Sequence, residues 1–269
     1  MSIDIHPTAI VSEKAVIGEG TSIGAYCVIG PRVVIGKNNR IASHVVIEGN
    51  TRLAEENIIF QFSSIGAAPQ DLKYRGEDSV LEIGSKNRIR EFVTLQPGTA
   101  GGGMLTRIGS NNLFMANSHV GHDALIGDNN VFANSAALAG HVIVGSGITL
   151  GGLCGVHQFV RLGDFCILGA GSMISKDVPP FCIGQGDRAH LFGINKIALQ
   201  RQGCTESEIT KLRSLYKKIF LSGGVLKDKL ETAKSEFADF EMGLKMIEFI
   251  ASSERGVIMP RKSESSNEP

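Results

Sequence analysis

Apolar residues recur at every sixth position along most of the chain. Stepping by six residues from Ile5 meets an aliphatic side chain at every step up to Ile65. After two interruptions the pattern resumes at Ile108, shifted by one residue, and continues to Ile174. Such a period fits neither an α-helix nor an uninterrupted strand. It predicts a short strand followed by a corner, repeated many times, with one residue of each hexad pointing inward.

The residues around each apolar position support a repeated strand and corner. Glycine often follows the apolar residue directly, as at Gly18 and Gly151, where the backbone must bend. A small or β-branched residue, such as Thr21, often stands four positions after it. This is the hexapeptide-repeat pattern, and it predicts an all-β fold, a parallel β-helix. Three hexads complete one triangular coil, and successive coils stack ~4.8 Å apart.

Two segments interrupt the repeat, and a helical pattern follows it. Residues 67–80 and 97–107 are polar or glycine-rich and are predicted to be loops. Beyond about residue 190 the spacing of apolar residues becomes helical, and Thr205 and Glu208 have the spacing of a capping box. The predicted organisation is a β-helix over residues 1–190, a C-terminal α-helical cap over 191–255 and a disordered tail over 256–269.

The composition narrows the possible functions. The chain has 27 basic and 27 acidic residues, so its overall charge gives no reason to expect a nucleic acid partner. The N-terminus lacks the pattern of a signal peptide, and no apolar stretch is long enough for a membrane span. The five cysteines lack CxxC spacing, which argues against a disulfide framework or a cysteine zinc site. We therefore expect a cytoplasmic protein without integral membrane association.

Several histidines are clustered in the second run of hexads. The clustered residues are His119, His122, His141 and His157. Because residues one coil apart stack, Gly140 is predicted to lie over His122, and His141 over Asp123, with the His122 side chain facing outward near a corner. A histidine beside a carboxylate and close to a glycine backbone is what a general base with an oxyanion donor needs. A surface or inter-subunit histidine is the alternative, but the cluster favours the catalytic interpretation.

Short motifs throughout the chain resemble those of one acyltransferase family. They are QDLKY at 70–74, IRE at 89–91, GHD at 121–123, AGH at 139–141, VHQF at 156–159, DVPP at 177–180 and FGIN at 192–195. Over almost all of residues 1–260 the chain resembles the UDP-N-acetylglucosamine O-acyltransferases of lipid A biosynthesis. The resemblance implies a left-handed β-helix that works as a homotrimer without cofactor or metal. It implies transfer of an (R)-3-hydroxyacyl chain from acyl carrier protein to the 3-OH of UDP-N-acetylglucosamine, the first step of that pathway.

The resemblance also implies a role for each matching residue. His122 would accept the proton of the sugar hydroxyl, Asp123 would orient the imidazole, and the Gly140 N–H would stabilise the oxyanion. Ala170 would act as the stop of a hydrocarbon ruler that sets the acyl length. The substrate-binding residues that it implies are Gln70, Asp71, Lys73, His119, His141, His157, Gln158, Asn195 and Arg201. An acidic carrier protein is expected to dock on the cap, through Lys211, Arg213, Lys217 and Lys218.

Three positions depart from the family pattern. Gln202 stands where the family often has a second basic residue, and Ile197 stands where it has an acidic one. The segment VTLQPGT at 93–99 lacks the histidine and arginine that precede the glycine in the family. These departures concern the nucleotide contacts rather than the catalytic centre.

Other functions compatible with the repeat remain open. An amine-acylating relative would use similar base chemistry. A trimeric β-helix carbonic anhydrase would need three histidines on zinc, for which His119, His122 and His141 are candidates. The QDLKY loop and the helical cap argue against that class. A non-catalytic scaffold would show no turnover with any acyl-carrier thioester.

Overall fold

Short parallel strands pair with the strands one coil later in the computed structural model, which describes residues 2–261. The register joins Leu125 to Ile143 and Ile126 to Val144, so the hexad phase is kept from one coil to the next. Among the described residues the strands form three sheets, which are the faces of a left-handed triangular β-helix. The predicted fold class is confirmed.

We name the three faces sheets A, B and C, in the order in which the chain meets them. Sheet A contains Asp4–Ile5, Ser22–Ile23, Arg40–Ile41, Ile58–Ile59, Arg88–Ile89, Leu113–Phe114, Val131–Phe132, Thr149–Leu150, Ile167–Leu168, Cys182–Gln185 and His190–Ile194. Sheet B contains Ile10–Val11, Val28–Ile29, Val46–Ile47, Ser64–Ile65, Thr94–Leu95, His119–Val120, Ala137–Leu138, Gly155–Val156 and Met173–Ile174. Sheet C contains Val16–Ile17, Val34–Ile35, Asn50–Leu53, Val80–Ile83, Leu105–Ile108, Leu125–Ile126, Ile143–Val144 and Arg161–Leu162.

The inward residues of the hexads fill the interior of the prism. Phe114 and Phe132 are fully buried and stack with their ring centroids 4.6 Å apart. Cys154 and Cys166 are buried among them, as the hexad position predicts. Each fully buried aliphatic side chain stabilises the fold by about 1.5–3 kcal/mol. Ile5 is an exception, with 41% of its surface exposed, because the first coil has no earlier coil beneath it.

A ladder of buried asparagines runs along the corner between sheets C and A, which the sequence analysis missed. Its members are Asn39, Asn57, Asn87, Asn112 and Asn130. The backbone N–H of Asn57 donates to Oδ1 of Asn39 at 2.8 Å, and each later step repeats this bond up to Ile148. Because an unpaired buried amide is costly, the ladder stabilises only the native stacking register.

Both insertions leave the prism at the corner between sheets B and C, which we call the site corner. The first loop occupies residues 66–79 and the second loop residues 96–104. The first loop lies one residue earlier than predicted, because Val80 already belongs to a strand of sheet C, and the second loop is shorter than predicted, because residues 105–107 are paired with that strand. The two loops therefore rise side by side from one edge of the prism.

The end of the prism is covered by a hairpin and helices. Strand Cys182–Gln185 pairs antiparallel with His190–Ile194, a hairpin that the sequence analysis did not predict. The helices are α1 (Lys196–Arg201), α2 (Glu206–Tyr216) with a π-helical turn (Lys217–Leu221), α3 (Leu226–Glu236) and α4 (Glu241–Ala251). The predicted capping box is present, since Thr205 and Glu208 exchange hydrogen bonds of 3.2 Å and 2.7 Å. No helix within residues 2–261 is long and apolar enough to cross a membrane.

The segment after α4 differs in part from the predicted disordered tail. Val257 forms a β-bridge with Asp177 of the last coil, and Val257 and Ile258 are both buried. The segment is therefore held against the end of the prism by Val257 and Ile258 and by a further bridge between Pro260 and Leu191. The rest of the predicted tail, residues 262–269, lies outside the described residues.

Candidate active site

The site corner carries the candidate catalytic residues on successive coils. Asp123, His141 and Phe159 occupy the same corner position and have φ angles of 59°, 61° and 63°. This left-handed conformation, which is rare for non-glycine residues, turns the chain at each corner. The repeat therefore aligns these residues parallel to the prism axis, next to the two loops.

His122 and Asp123 form a buried hydrogen-bonded pair. Nδ1 of His122 lies 2.8 Å from Oδ2 of Asp123. If Nδ1 donates this bond, the neutral imidazole keeps Nε2 free to accept a proton. His122 lies near the site corner, yet only 7% of it is exposed in the single chain. Gly140 of the next coil lies against the ring, and Gly102 of the second loop lies against the Asp123 carboxylate.

Gly140 lies over His122, as the stacking of coils predicts. A Cβ atom at position 140 would lie 2.5 Å from Cε1 and 2.6 Å from Nε2 of His122. The Gly140 N–H donates no hydrogen bond to any part of the chain that the structure describes. A donor of this kind beside a general base is suited to an oxyanion that forms next to Nε2.

The second loop holds the Asp123 carboxylate. The Thr99 N–H donates to Oδ1 of Asp123 at 2.8 Å, and the Thr99 hydroxyl donates to Oδ2 at 2.6 Å. The sequence analysis missed Thr99, because contacts made by an insertion do not follow from the spacing of the repeat. Each carboxylate oxygen therefore accepts at least one hydrogen bond from the protein.

Two further histidines line the site in uncharged form. Burial lowers the pKa of His119, and the nearby His122 lowers it further. Nδ1 of His119 is 2.7 Å from the hydroxyl oxygen of Thr94. Burial also lowers the pKa of His141, and His122 adds to this effect, although the Asp123 carboxylate opposes it. Both rings are therefore suited to hydrogen bonding with a polar substrate at neutral pH.

The His141 ring is fixed by its neighbours. It stacks on Phe159 with a centroid distance of 4.4 Å and meets the His122 ring edge-on at 5.0 Å. Its Nε2 is 3.9 Å from Oδ2 of Asp123. The structure thus brings His141 to the pair, as the stacking predicted, and adds Phe159, which the sequence analysis did not single out.

The first loop brings charge to the same place. Asp71 raises the pKa of His141 slightly and Lys73 lowers it slightly, so both charges act on the site. Gln70 and Lys73 are exposed, and Leu72 between Asp71 and Lys73 is 97% exposed.

Two grooves flank the site corner. The groove on sheet B has a volume of about 590 Å³ and is lined mainly by apolar surface from Ala137, Gly155 and Met173, with His119 and His157 beside them. The groove on sheet C has a volume of about 620 Å³; its lining includes His141, Phe159, Arg161, Glu254 and Arg255. A mainly apolar groove thus lies on one side of the histidines, and a groove with several charged residues lies on the other.

Of the remaining candidate residues, Gln158 lies at the site corner and the others lie elsewhere in the single chain. Asn195 caps α1 by accepting the Ala198 N–H at 3.2 Å, and its Nδ2 donates to the carbonyl of Phe165, at the corner between sheets C and A. Arg201 is exposed in the last turn of α1. Gln158 is exposed on the site corner beside His157. Ala170 is exposed at the corner between sheets A and B.

The donor atoms of the histidine cluster bear on a metal role. His122, Asp123 and His141 present ligand atoms within 4.8 Å of one another, so Asp123 rather than His119 completes this group. Both oxygens of Asp123 already accept hydrogen bonds from Thr99, and one also faces the Nδ1 of His122. This arrangement favours a carboxylate that orients an imidazole over one that ligates a metal.

Comparisons with known proteins agree with this geometry. Residues 177–258 match the family model described as UDP N-acetylglucosamine O-acyltransferase, domain 2. Residues 14–49 and 105–140 match the bacterial transferase hexapeptide model. The acyl-[acyl-carrier-protein]–UDP-N-acetylglucosamine O-acyltransferase of Aliarcobacter butzleri is 41% identical over 263 residues, which is 96% of this chain and 99% of that protein.

Solved structures give the same result. LpxA from Acinetobacter baumannii is 44% identical and superposes with a TM-score of 0.92, covering 94% of this chain and 99% of that one. The UDP-N-acetylglucosamine acyltransferase of Francisella novicida is 35% identical with a TM-score of 0.93, covering 98% of this chain and 99% of that one. With this identity over nearly its whole length, the chain is an acyltransferase and belongs to the UDP-N-acetylglucosamine O-acyltransferase family.

Proposed function

We propose that this acyltransferase transfers an (R)-3-hydroxyacyl chain from acyl carrier protein to the 3-OH of UDP-N-acetylglucosamine, the first step of lipid A biosynthesis. The observation that carries the proposal is the buried pair of His122 and Asp123 with Gly140 against the imidazole. This arrangement supplies a base, its orienting carboxylate and an oxyanion donor at one point.

The proposed reaction begins with the sugar hydroxyl beside Nε2 of His122. As its oxygen attacks the thioester carbonyl, Nε2 takes the hydroxyl proton and the Gly140 N–H donates to the oxyanion. The intermediate collapses to the ester and expels the carrier thiolate, which takes the proton back from His122. Asp123 stabilises the transient imidazolium, because a buried charge needs a partner at hydrogen-bond distance.

The two substrates of this reaction are assigned to two different parts of the site. We assign the hydrocarbon of the donor to the apolar groove on sheet B, since its lining of Ala137, Gly155 and Met173 gains by losing contact with water. We assign the sugar to the space between the first loop and the histidines. There Gln70, Asp71, Lys73, His119, His141, His157 and Gln158 supply donors and acceptors.

We propose a homotrimer, because one chain holds only part of this site. Asn195 and the α1 helix that carries Arg201 approach the prism at a different corner from His122, so a neighbouring chain would have to supply them to the nucleotide. Arg201 suits a pyrophosphate, since its guanidinium can donate two parallel hydrogen bonds. Leu72 at the tip of the first loop is 97% exposed, as expected of a residue that a neighbouring subunit covers. Light scattering should give three times the chain mass of 28.7 kDa; a mass near 28.7 kDa would refute the trimer.

We place the enzyme in the cytoplasm. Its cysteines are free thiols, four of them buried, which is typical of a reducing compartment.

An assay of purified protein tests the proposal. UDP-N-acetylglucosamine and a panel of 3-hydroxyacyl carrier proteins should yield the 3-O-acyl product, while a UDP-sugar with an amine at that position tests the N-acylating alternative. His122→Ala should lower kcat by at least about 100-fold, the scale of lost general-base catalysis. His44→Ala is the matched control, because His44 stacks near Tyr26 and Phe62 at another corner. Near-normal activity of His122→Ala would reject His122 as the base.

A further inference from the structure

We infer that the second loop is a clamp on the catalytic pair, in which Thr99 is the positioning residue that holds Asp123 against His122. This inference rests on the general-base role proposed for His122. Thr99 is 3% exposed and lies 24 residues before Asp123 in the chain. Its position next to the carboxylate results from the way in which the second loop folds back over the site corner.

Thr99 binds both oxygens of one carboxylate. Its N–H donates to Oδ1 of Asp123, and its hydroxyl donates to Oδ2, the same oxygen that faces Nδ1 of His122. The Asp123 side chain has 0% of its surface exposed, so water cannot replace these donors. The two bonds fix the plane of the carboxylate and determine which oxygen receives the imidazole N–H.

The strand that follows the second loop holds the Asp123 backbone. Thr106, fully buried in the strand that follows the loop, accepts the Asp123 N–H on its hydroxyl oxygen at 2.8 Å. Asp123 has a φ of 59°, a conformation that a non-glycine residue keeps only where its surroundings hold it. The loop thus binds the carboxylate of Asp123, and the strand that follows the loop binds the main chain of the same residue.

Two glycines allow the loop to approach this closely. A Cβ atom at Gly102 would lie 2.0 Å from Cγ of Asp123, and one at Gly98 would lie 2.0 Å from the Leu105 nitrogen. The Thr99 carbonyl accepts the N–H groups of Gly102 and Met104 at 3.1 Å and 3.0 Å, which closes the loop on itself. The loop is therefore a compact cover whose shape depends on small residues at these places.

The clamp has a chemical consequence for the base. With Asp123 fixed, His122 keeps its proton on Nδ1 and directs Nε2 toward the substrate. The Thr99 hydroxyl also withdraws charge from Oδ2, which limits how strongly that oxygen holds the imidazolium. Other groups that act on the His122 ring are His141, which meets it edge-on, and His119, which is electrostatically coupled to it.

The test compares Thr99→Val, which removes only the hydroxyl donor, with Thr99→Ser, which keeps it. We expect Thr99→Val to lower kcat about tenfold, the effect of one hydrogen bond to a charged group, with KM for UDP-N-acetylglucosamine unchanged. The acidic limb of its kcat–pH profile should move to higher pH, because the more negative Oδ2 holds the imidazolium proton more strongly. The NMR signal of the His122 Nδ1 proton should shift or broaden, and Thr99→Ser should restore all three properties.

Thr51→Val is the matched control for lost stability. Thr51 lies in the same column of sheet C as Thr106, is fully buried, and donates its hydroxyl proton to the Glu48 carbonyl away from the site. It should leave kcat and the pH profile unchanged. Should Thr99→Val fail to fold, Gly102→Ala, which crowds the Asp123 carboxylate from the same loop, should give the same loss of kcat and the same NMR change.

Particular outcomes would overturn the clamp or the base separately. Wild-type kcat and pH profile in Thr99→Val or Gly102→Ala, or equal losses in Thr51→Val, would overturn the clamp. If His122→Ala is inactive while Thr99→Val behaves as wild type, only the clamp is wrong. If His122→Ala is active, the general-base proposal is wrong as well.

Discussion

Gly140 lies one coil beyond His122, so close that a Cβ atom at position 140 would come within 2.5 Å of the imidazole Cε1. The φ of Gly140 lies outside the left-handed region, so the turn itself does not require glycine there. Glycine is needed because the ring of the proposed base occupies the space of a side chain. The contact also brings the Gly140 backbone to the imidazole of the proposed base.

Gly140→Ala should therefore lower kcat without unfolding the protein. The added methyl group must displace the His122 ring, and a displacement of about 1 Å can cost about 100-fold in rate. Gly152→Ala is a suitable control, because its nearest neighbour, the Asn134 carbonyl oxygen, would be 3.4 Å from the new Cβ. Steady-state kinetics and urea denaturation of both variants measure the difference. Wild-type kcat in Gly140→Ala would show that this contact does not fix the position of the ring.

Two partly buried histidines, His119 and His141, predict that the free energy of unfolding falls in acid. Burial lowers the pKa of His119 and of His141 in the folded protein, whereas an unfolded histidine titrates at about pH 6.5. Below about pH 6.5 the unfolded chain thus binds more protons than the folded one, and the free energy of unfolding falls as the pH falls toward the folded-state pKa values. Above about pH 6.5 this contribution is fully present.

His119→Gln should reduce this pH dependence. Urea denaturation at about pH 5.5 and about pH 7.5 should show a smaller difference in the free energy of unfolding than wild type shows. Protein concentration must be held constant, since the proposed subunit association would change apparent stability. His6→Gln, at an exposed position, is the control. An unchanged pH dependence in His119→Gln would mean that other groups cause the acid sensitivity.

The predictable part of this protein is the part that repeats. Counting hexads gave the sheets, the inward residues and the contact of Gly140 with His122, because stacking converts sequence spacing into distance. It could not give the bonds of Thr99 to Asp123, since an insertion has no register with the coils. Nor could it give the burial of His122, because neighbouring coils and loops, rather than the hexad position, determine how much of a corner side chain is covered.

Two further features show where local patterns were insufficient. The asparagines of the buried ladder, such as Asn112 and Asn130, recur at one hexad phase. Their spacing does not show, however, that backbone carbonyls lie where they can accept hydrogen bonds from the side-chain amides. The short helix α1 was missed because six residues are too few to show a helical period. Asn195 is the N-cap of this helix and is also proposed to bind the nucleotide.

The basic residues of α2 and its π-helical turn differ in their availability to a carrier protein. Lys218 pairs with Glu236, and Lys211 lies 5.6 Å over the ring of Phe240. Arg213 and Lys217 instead border a depression of about 290 Å³. We therefore expect these two to attract the acidic carrier more strongly than the other two.

Charge reversal of Arg213 and Lys217 together should raise KM for the acyl carrier protein at least about fivefold at low salt, because electrostatic steering accelerates encounter. KM for UDP-N-acetylglucosamine should not change, and the salt dependence of KM for the carrier should weaken. Lys37→Glu, on an exposed corner of an early coil, is the control. An unchanged KM for the carrier would indicate an ordinary solvated helix face.

Ala170 lies 48 residues beyond His122, which corresponds to two and two-thirds coils, or ~13 Å along the prism axis at ~4.8 Å per coil. That distance is about the length of a ten- to fourteen-carbon chain lying along the prism. Ala170 is exposed at the corner between sheets A and B. The far end of the apolar groove is instead lined by Met173, whose Sδ would be 2.9 Å from a Cβ at Gly155.

We predict that Ala170→Gly shifts acyl preference toward longer chains and Ala170→Met toward shorter ones, because a side chain at the end of the hydrocarbon limits its length. Met173→Ala distinguishes a limit on chain length from an effect of groove width. It should widen the groove over Gly155 and raise kcat/KM for several chain lengths without changing the preferred length. Competition among carrier proteins loaded with chains of different length measures the preference. If both Ala170 variants keep the wild-type chain-length preference and Met173→Ala prefers longer chains, Met173 rather than Ala170 sets the acyl length.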